Sequence, residues 1–269
     1  MNVQNKVIVV TGAGGGIGGE LVATLLSRGA KVAAVDYKKE GLDALVQKMG
    51  DKAANLSTHV LDTTNRDNVA KLPDEIIAKQ GQVDGIINCA GIVQPFVKIN
   101  DLDYAAIERV MNVNFYGTLY MTKAFLPYLL KRPEGYIANV SSMGGFLPVP
   151  GQSVYGASKA AVKLMTEGLY AELLSTNVHV SVVFPGATRT NITENSGVAA
   201  PTSAAATDAA KNFPMLSATK AAEIIINGIE KNKPQIFTGK DSNLMNKLYR
   251  LNPVYATKLI AKQMKSLLS

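Results

Sequence analysis

The sequence is short of several residue types that mark large classes of proteins. Its 269 residues include one cysteine, Cys89, two histidines and no tryptophan. A disulfide bond within the chain is therefore excluded, and a zinc-type site, which needs clustered cysteine or histidine, is not expected. We predict that the protein holds no metal and that Cys89 is structural.

The chain also lacks long hydrophobic runs. No apolar run approaches the roughly 20 residues that a helix needs to cross a bilayer. The first apolar run covers only Val7 to Val10, which is shorter than the apolar region of a secretory leader. We therefore expect a cytoplasmic protein.

Acidic residues are fewer than basic ones, 21 against 28, which gives a formal net charge of +7. A positive balance suits a phosphate-bearing ligand, an anionic membrane or nucleic acid. The basic residues are spread along the chain and are not interleaved with aromatic residues, which make up only 6% of it. We expect no nucleic-acid partner.

What the chain does contain is a regular alternation of short apolar runs with longer segments of helical periodicity. The predicted strands are Lys6–Val10, Lys31–Val35, Leu56–Leu61, Val83–Asn88, Tyr136–Val140, Val178–Phe184 and Gln235–Phe237. The predicted helices are Gly16–Arg28, Gly41–Met49, Asn65–Lys79, Tyr104–Leu130, Tyr155–Ser175 and Thr219–Lys231. Near-continuous apolar strands separated by helices indicate a parallel sheet with helices on both faces. We predict an α/β fold, a single Rossmann-like, doubly wound domain over residues 1–240 with a parallel sheet of about seven strands.

Two segments depart from this alternation. Within residues 187–219 lies a stretch rich in alanine, serine and threonine, and we predict a substrate lid there. Residues 241–269 form a basic, amphipathic extension. From Val254 onward its predicted apolar face is Leu259, Ile260, Met264, Leu267 and Leu268. We expect the extension to cover its own pocket, to pack on another subunit, or to make a peripheral membrane contact.

A glycine-rich segment, TGAGGGIG at Thr11–Gly18, lies between the first predicted strand and the first predicted helix. Glycines allow a tight turn and a close approach of ligand to backbone, and the N-terminus of the following helix favours a phosphate. We therefore predict a dinucleotide-binding site. The predicted contacts in this segment are Gly12, Gly14, Gly15, Gly16, Ile17 and Gly18.

Asp36 ends the second predicted strand, about 20 residues after the glycines. An acidic side chain there accepts hydrogen bonds from ribose hydroxyls and repels a 2′-phosphate, so we predict NAD in preference to NADP. Lys38 and Lys39 follow closely and soften that repulsion.

Tyr155 and Lys159 lie four residues apart in SVYGASKAA, so they share one face of a predicted helix. A tyrosine ordinarily ionises at a pKa of about 10. A cation beside it lowers that pKa, which makes the pair a candidate acid/base at neutral pH. Such a pair arises often by chance, so its significance depends on its neighbours.

The neighbours are polar or glycine-rich segments that follow predicted strands. They are the glycine-rich segment, Asp36, Ser142 and Pro185–Gly186. The carboxyl ends of parallel strands meet at one edge of a sheet, and ligands bind at that edge. The sequence therefore predicts one cleft that contains all of these segments.

The order and spacing of the motifs from about Lys6 to Phe237 resemble the classical short-chain dehydrogenase/reductases. The matching segments are TGAGGGIG (Thr11–Gly18), Asp62, NCAG (Asn88–Gly91), NVNFYG (Asn112–Gly117), NVSS (Asn139–Ser142), YGASK (Tyr155–Lys159) and PGATRT (Pro185–Thr190). Cys89 departs from the family pattern, which usually has asparagine there. The resemblance implies an oxidoreductase that interconverts an alcohol and its carbonyl by hydride transfer with a nicotinamide cofactor.

The resemblance also implies the roles of single residues. Tyr155 exchanges a proton with the substrate oxygen, Ser142 hydrogen-bonds that oxygen, and Lys159 lowers the Tyr155 pKa and binds the nicotinamide ribose. Asn114 holds a water that links Lys159 to solvent. Further implied cofactor contacts are Asp62, Asn88, Ala90, Gly91, Pro185, Gly186, Thr188 and Thr190. Ser141 is the rival of Ser142 and Asn112 the rival of Asn114, and the spacing favours Ser142 and Asn114.

The segments expected to shape the substrate pocket are apolar. They are Gly144–Gln152, Val93, Pro95, Phe96, Met215 and Leu216. We therefore predict an apolar alcohol or ketone, of the steroid, retinoid or lipid-like kind. The resemblance implies a homodimer or homotetramer formed through the helices Tyr104–Leu130 and Tyr155–Ser175. The alternative is a catalytically silent dinucleotide-binding sensor or scaffold on the same fold.

Overall fold

The computed structural model of the chain describes residues 1–199 and 215–264. The strands within these residues are β1 (Val7–Thr11), β2 (Lys31–Asp36), β3 (Leu56–Val60), β4 (Gly85–Asn88), β5 (Gly135–Val140), β6 (Val178–Pro185), β7 (Thr188–Arg189), β8 (Leu216–Ser217) and β9 (Gln235–Thr238). The helices are α1 (Gly16–Ser27), α2 (Lys39–Met49), α3 (Arg66–Gln80), α4 (Tyr104–Met111), α5 (Thr118–Leu129), α6 (Ser153–Glu172), α7 (Ile192–Asn195), α8 (Ala218–Glu230), α9 (Lys240–Leu251) and α10 (Pro253–Gln263).

Seven of these strands form one parallel sheet in the order β3-β2-β1-β4-β5-β6-β9. The order reverses between β1 and β4, which is where a doubly wound sheet opens a crevice at its carboxyl edge. Thr11 at the end of β1 is in register with Asn88 at the end of β4, and Asn88 with Asn139 on β5. The strand ends that carry the predicted motifs therefore meet at one edge, as the sequence predicts.

Helices cover both faces of the sheet because its apolar side chains alternate between two cores. Ile8 and Val10 of β1 point into a core that includes Leu25 of α1 and Ile226 of α8. Val7 and Val9 point into the opposite core, which contains Ile76 of α3 and Phe125 of α5. The predicted seven-stranded α/β fold is confirmed.

The predicted helix Tyr104–Leu130 is interrupted. Its central residues, Asn112–Gly117, form a π-helical turn between α4 and α5. The Thr118 hydroxyl donates to the Asn114 carbonyl at 2.8 Å, and a side chain at Gly117 would clash with the Thr63 hydroxyl at 2.7 Å. A π turn inserts one residue into the helix, and such turns occur often at functional sites. This turn carries Asn114.

The basic extension forms a helix pair rather than one helix. Pro253 opens α10, and the Asn252 side chain accepts a hydrogen bond from the Tyr255 amide at 2.9 Å, which caps the new helix. The apolar faces of α9 and α10 pack on the segment that follows β5; the residues in this cluster include Met143, Phe146, Leu147, Met245, Ala256, Leu259, Ile260 and Met264. The extension therefore covers its own chain, while Leu267 and Leu268 lie outside the described residues. Over residues 1–199 and 215–264, no helix combines the length and apolar character needed to cross a bilayer.

Both ends of the predicted lid, 187–219, lie against each other. Thr188 of β7 pairs with Leu216 of β8, and the Leu216 amide donates to the Ala187 carbonyl at 2.8 Å. Residues 200–214 of the predicted lid lie outside the described residues.

Candidate active site

A cleft of about 1150 Å³ lies at the carboxyl edge of the sheet. Most of the predicted site residues line it: Gly12, Gly14, Gly15, Gly16, Ile17, Gly18, Asp36, Asp62, Ala90, Gly91, Ser142, Tyr155, Lys159, Pro185, Gly186, Thr188 and Thr190. Asn88 and Asn114 lie behind its wall, where both are buried. The structure thus brings segments from along most of the chain into one cleft.

The glycine-rich segment forms a tight turn between β1 and α1. Gly12 has a φ of +69°, and a Cβ on it would lie 2.8 Å from the Ala90 Cα. Gly16 has a φ of +40°, so a side chain there would strain the backbone. Glycine therefore leaves backbone exposed toward the cleft, and the first amides of α1 have no acceptor within the helix. This surface fits the diphosphate of a dinucleotide.

Asp36 holds this turn in place from the end of β2. One carboxylate oxygen accepts from the Gly14 amide at 2.9 Å, and the other accepts from the Lys38 amide at 3.0 Å. Each oxygen has a further lone pair available for a ribose hydroxyl. The Lys38 ammonium lies 5.4 Å from the centre of the Tyr37 ring, in a cation–π contact.

The NCAG turn is fixed by Thr11 and abuts Lys159. The Thr11 hydroxyl accepts from the amides of Cys89 and Ala90, each at 3.0 Å. A Cβ on Gly91 would lie 3.0 Å from the Lys159 nitrogen, so glycine lets the lysine reach this part of the cleft. Burial raises the pKa of the Cys89 thiol to about 11, which suits the predicted structural role.

Two polar residues of the predicted cofactor set serve the local structure. The Asn88 side chain points into the core and donates to Asn139 at 2.8 Å and to Thr122 at 3.1 Å. The Asp62 carboxylate accepts from the amide and hydroxyl of Thr64, both at 2.8 Å, and this fixes the turn after β3. The side chain of Asn88 therefore stabilises the strand end without reaching the cleft.

Asn114, on the π turn, connects three parts of the site. Its side chain accepts from the Ile92 amide at 2.8 Å and donates to the Ile92 carbonyl and the Ser158 hydroxyl, each at 2.9 Å. The Ser158 hydroxyl in turn donates to the Tyr155 carbonyl at 2.7 Å. Its rival Asn112 lines the cleft and lacks these contacts.

Lys159 lies beneath the cleft with only 3% of its surface exposed. Its ammonium donates to the Val140 carbonyl at 3.0 Å. Burial lowers the pKa of Lys159 to about 8, because the charged form loses hydration. The Ser141 hydroxyl donates to the Lys159 carbonyl at 2.7 Å, so this rival of Ser142 fastens α6 to the end of β5.

Tyr155 and Ser142 lie on either side of Gly144: a Cβ built on Gly144 would be 3.4 Å from Cε1 of Tyr155 and 3.5 Å from the Ser142 hydroxyl oxygen. Burial raises the pKa of Tyr155, and the nearby Ser142 hydroxyl lowers it by less, so the net direction is upward. The sequence predicted that Lys159 would lower this pKa. In the described geometry the Lys159 ammonium is directed to Val140, and burial is the dominant effect on the tyrosine.

Two positioning groups carry no signal in the sequence. Gln94, in the loop after β4, is 1% exposed and hydrogen-bonds the first turn of α6. Asp241, at the start of α9, accepts from the Ala187 amide at 2.9 Å and so fixes the loop after β6. Both contacts join segments far apart in the sequence, so no local pattern could have indicated them.

The residues that line the substrate end of the cleft differ from those that the sequence predicts. Ile92, Val93 and Ile192 supply apolar surface, but Glu108 and Arg109 of α4 also line the cleft. Residues 144–152 do not line it; Phe146 and Leu147 pack under α9 and α10 instead. Met215 and Leu216 likewise lie outside the lining.

Comparisons with known proteins agree with this architecture. A sequence profile of the family described as short chain dehydrogenase matches residues 6–201. A candidate oxidoreductase named SadH, from Mycobacterium tuberculosis, is 34% identical over 264 residues, which cover 96% of this chain and 95% of that protein.

Two solved structures share the fold over nearly the whole chain. A short-chain dehydrogenase/reductase from Burkholderia phymatum in complex with NAD has a TM-score of 0.81 and 25% identity, covering 93% of this chain and 96% of its own. A short-chain dehydrogenase from Burkholderia cenocepacia in complex with NADP has a TM-score of 0.80 and 29% identity, covering 97% and 99%. The profile match and the relatives together establish that this chain belongs to the short-chain dehydrogenase family and is an oxidoreductase of that family.

Proposed function

We propose that the protein is an NAD-preferring oxidoreductase that interconverts a primary or secondary alcohol and its carbonyl compound, with Tyr155 as general acid and base. One observation carries this proposal. The side chains of Tyr155 and Ser142 stand beside each other around Gly144 and line the same cleft as the glycine turn and Lys159. A dinucleotide bound along the turn would extend toward these side chains.

Each residue of the cleft has a separate role in the proposed reaction. NAD or NADH, when bound, accepts or supplies the hydride. The Ser142 hydroxyl orients the substrate oxygen, and the Tyr155 hydroxyl gives a proton to a carbonyl or takes one from an alcohol. Lys159 binds the nicotinamide ribose, and Asn114 holds the water that joins Lys159 to solvent.

The raised pKa of Tyr155 sets the pH dependence of the two directions. The phenol is protonated at neutral pH, which is the state that donates to a carbonyl. Alcohol oxidation needs the phenolate, so its rate should increase as the pH rises toward the Tyr155 pKa.

The preference for NAD rests on Asp36. Its carboxylate stands at the end of β2 with lone pairs free for the ribose hydroxyls, and a 2′-phosphate there would face this charge. Lys38, the nearest cation in sequence, is held against Tyr37. Relatives of known structure include one complex with NAD and one with NADP, so the shared fold accommodates either cofactor.

The proposed substrate is apolar, of the steroid, retinoid or lipid-like kind. Ile92, Val93 and Ile192 support this choice. The Arg109 guanidinium donates to the Ser196 carbonyl at 2.5 Å, so this cation is engaged in holding the chain after α7. A substrate panel in which small polar acids react fastest would contradict the choice.

We also propose a homodimer or homotetramer through α4, α5 and α6. Large apolar side chains are exposed on these helices, with Tyr104 at 83% and Leu164 at 70%. A surface of this kind on an isolated chain favours self-association. Sedimentation that detects only monomer at micromolar concentration would exclude this assembly.

The extension of residues 241–269 is proposed to be part of the catalytic unit, because α9 and α10 pack behind the Ser142 loop.

A peripheral membrane contact is the second proposal for the extension. Leu251 is 84% exposed, and the exposed cations Lys247, Arg250 and Lys258 lie nearby in the sequence. Failure to sediment with anionic vesicles at physiological salt would remove the membrane contact.

The decisive experiment replaces Tyr155 by phenylalanine. Initial rates of NAD reduction are measured with steroids, retinoids, long-chain alcohols and small polar alcohols as substrates. We expect Tyr155→Phe to lower turnover by about 10²- to 10⁴-fold, because a proton-transfer group is lost. Binding of NADH should stay close to that of the wild type.

Two outcomes would contradict the proposal. Retained turnover in Tyr155→Phe would exclude the tyrosine as acid and base. Tight NADH binding by a wild-type protein that oxidises and reduces nothing in the panel would favour the silent sensor or scaffold.

A further inference from the structure

Helix α6 has no N-terminal cap of its own. It begins at Ser153, and the preceding residue, Gln152, makes no side-chain hydrogen bond to the first turn. The first amides of a helix have no acceptor within it, and leaving such groups buried without a partner is costly. Tyr155 is the third residue of this turn, so the order of the turn determines where its side chain lies.

Gln94 provides the missing acceptor from another part of the chain. Its side-chain oxygen accepts from the amides of Val154 at 2.8 Å and Tyr155 at 2.9 Å. These are the second and third helical positions, which an N-cap side chain ordinarily serves. Its amide nitrogen donates to the Gly151 carbonyl at 3.0 Å, so both ends of the side chain are used.

The loop that carries Gln94 is itself part of the site. Ile92 exchanges two hydrogen bonds with Asn114, and the Val93 amide donates to the Ser196 hydroxyl at 3.0 Å. The main-chain carbonyl of Gln94 accepts from the Gln152 side chain at 3.0 Å. The loop and the first turn of α6 are therefore fastened together through Gln94.

We infer that Gln94 is a positioning residue for the reaction: it caps α6 from the loop after β4 and so fixes Tyr155 opposite Ser142. The inference rests on the proposed function of Tyr155. Gln94 lies behind the cleft wall and is 1% exposed, so it acts through the tyrosine and not on the substrate.

The effect of losing this cap should fall on turnover more than on cofactor binding. Lys159 lies one turn further along α6 and has its own supports, the Val140 carbonyl and the Ser141 hydroxyl. Fraying of the first turn would therefore displace Tyr155 while Lys159 keeps its place. Small displacements of a reacting group are enough to reduce the rate strongly.

Gln94→Met tests this, because methionine has a similar length and no acceptor oxygen. We expect kcat to fall by about 10- to 100-fold. The Kd of NADH should change by less than about two-fold, because Lys159 and the other residues proposed to bind the cofactor keep their places. Gln80→Met is the matched control: Gln80 donates to the Val32 carbonyl at 2.9 Å and the Ser57 hydroxyl at 2.6 Å, remote from α6.

A second readout does not depend on turnover. Tyrosine labelled with ¹³C at Cζ gives an NMR signal for Tyr155, assigned as the signal that Tyr155→Phe lacks. We expect Gln94→Met to shift this signal and its titration midpoint, and Gln80→Met to leave both unchanged. Failure of the proposed function would remove turnover in the wild type but leave this shift, so the two failures are distinguishable.

Gln94→Glu supplies the rescue and covers the case in which Gln94→Met does not fold. Burial favours the protonated carboxyl group, which keeps one oxygen as acceptor for both amides and donates from the other to the Gly151 carbonyl as the amide nitrogen does, so it should recover most of the lost kcat. The inference is overturned if the Tyr155 signal is unchanged in Gln94→Met, if Gln80→Met lowers kcat equally, or if Gln94→Glu recovers nothing.

Discussion

The two halves of the cleft are built in different ways. The half that faces the expected dinucleotide consists mostly of main chain: glycines at the start of α1 and the NCAG turn, held by Thr11 and Asp36. The half around Tyr155 consists of side chains that are buried and joined to one another, including Asn114, Ser158 and Lys159.

This difference separates two physical strategies. A main-chain surface binds its ligand through amide and carbonyl groups, which every residue carries. Such a surface requires small side chains or none where the ligand approaches, and it places few demands on other residues. A side-chain network needs particular atoms at particular places, and each unpaired member is costly in a buried setting. The first half is therefore damaged by adding atoms, and the second by removing them.

The largest effect is expected from removing Lys159. Lys159→Met should lower turnover by about 10²- to 10⁴-fold, because the cation proposed to bind the nicotinamide ribose is lost. Lys163→Met, one turn further along α6 and paired with Glu167 at 2.7 Å, should leave turnover unchanged. Equal losses in the two variants would mean that Lys159 serves only the helix.

Lys159 also makes the free energy of unfolding depend on pH. Burial lowers its pKa from 10.5 to about 8, so between these pH values the unfolded chain holds a proton that the folded chain has released. The wild type should gain about 3 kcal/mol of unfolding free energy over this interval, at about 1.36 kcal/mol per pKa unit. Lys159→Met lacks this gain, and urea unfolding at pH 8 and at pH 10.5 would detect the difference.

A smaller effect is expected from adding one methyl group to the main-chain half. Gly12→Ala places a Cβ 2.8 Å from the Ala90 Cα at a φ of +69°. We expect it to cost about 1–3 kcal/mol of stability and to weaken NADH binding measured by fluorescence titration. Gly168→Ala is the control, because a Cβ there meets nothing within 4 Å. NADH binding that is unchanged in Gly12→Ala would show that the turn is not the anchor.

The smallest effect should come from a single charge. Asp36→Asn removes the charge that repels a 2′-phosphate; its single amide oxygen can keep the hydrogen bond from the Gly14 amide but not also the one from the Lys38 amide. We expect the preference for NADH over NADPH to fall by about ten-fold, which corresponds to about 1.4 kcal/mol. Asp62→Asn should weaken both cofactors together and leave their ratio unchanged. Equal affinities for NADH and NADPH in the wild type would contradict the role of Asp36.

The sequence predicts the sheet closely because its strands are easily recognised from their apolar residues. All five residues of β1 are buried, and so are all six of β5, so each appears as a nearly continuous apolar run, whose polar members are Thr11 and Asn139. The carboxyl edge follows from that sheet, so the sequence alone predicts that the glycine turn, Asp36 and Ser142 lie in one cleft.

The remaining features depend on contacts that no local pattern records. The π turn at Asn112–Gly117 inserts one residue without disturbing the apolar periodicity of the flanking helices. Composition predicted a pocket lining from Phe146 and Leu147, yet an apolar segment packs equally well against a helix, and here it packs against Ile260. Gln94 is a lone polar residue in a loop, and only its partners on α6 reveal what it does.

The pairing of β7 with β8 has a consequence for how the protein can change. Thr188 and Leu216 are neighbours in space, so the segment between them is closed at its base. Each doubling of a loop that is closed at its base costs only about 0.6 kcal/mol. Length changes after Ser196, whose hydroxyl accepts from the Val93 amide, should therefore cost the sheet little, whereas changes before it would displace Thr190 and Ile192 from the cleft. If the segment acts as the predicted substrate lid, its length can change the choice of substrate while the rest of the chain folds as before.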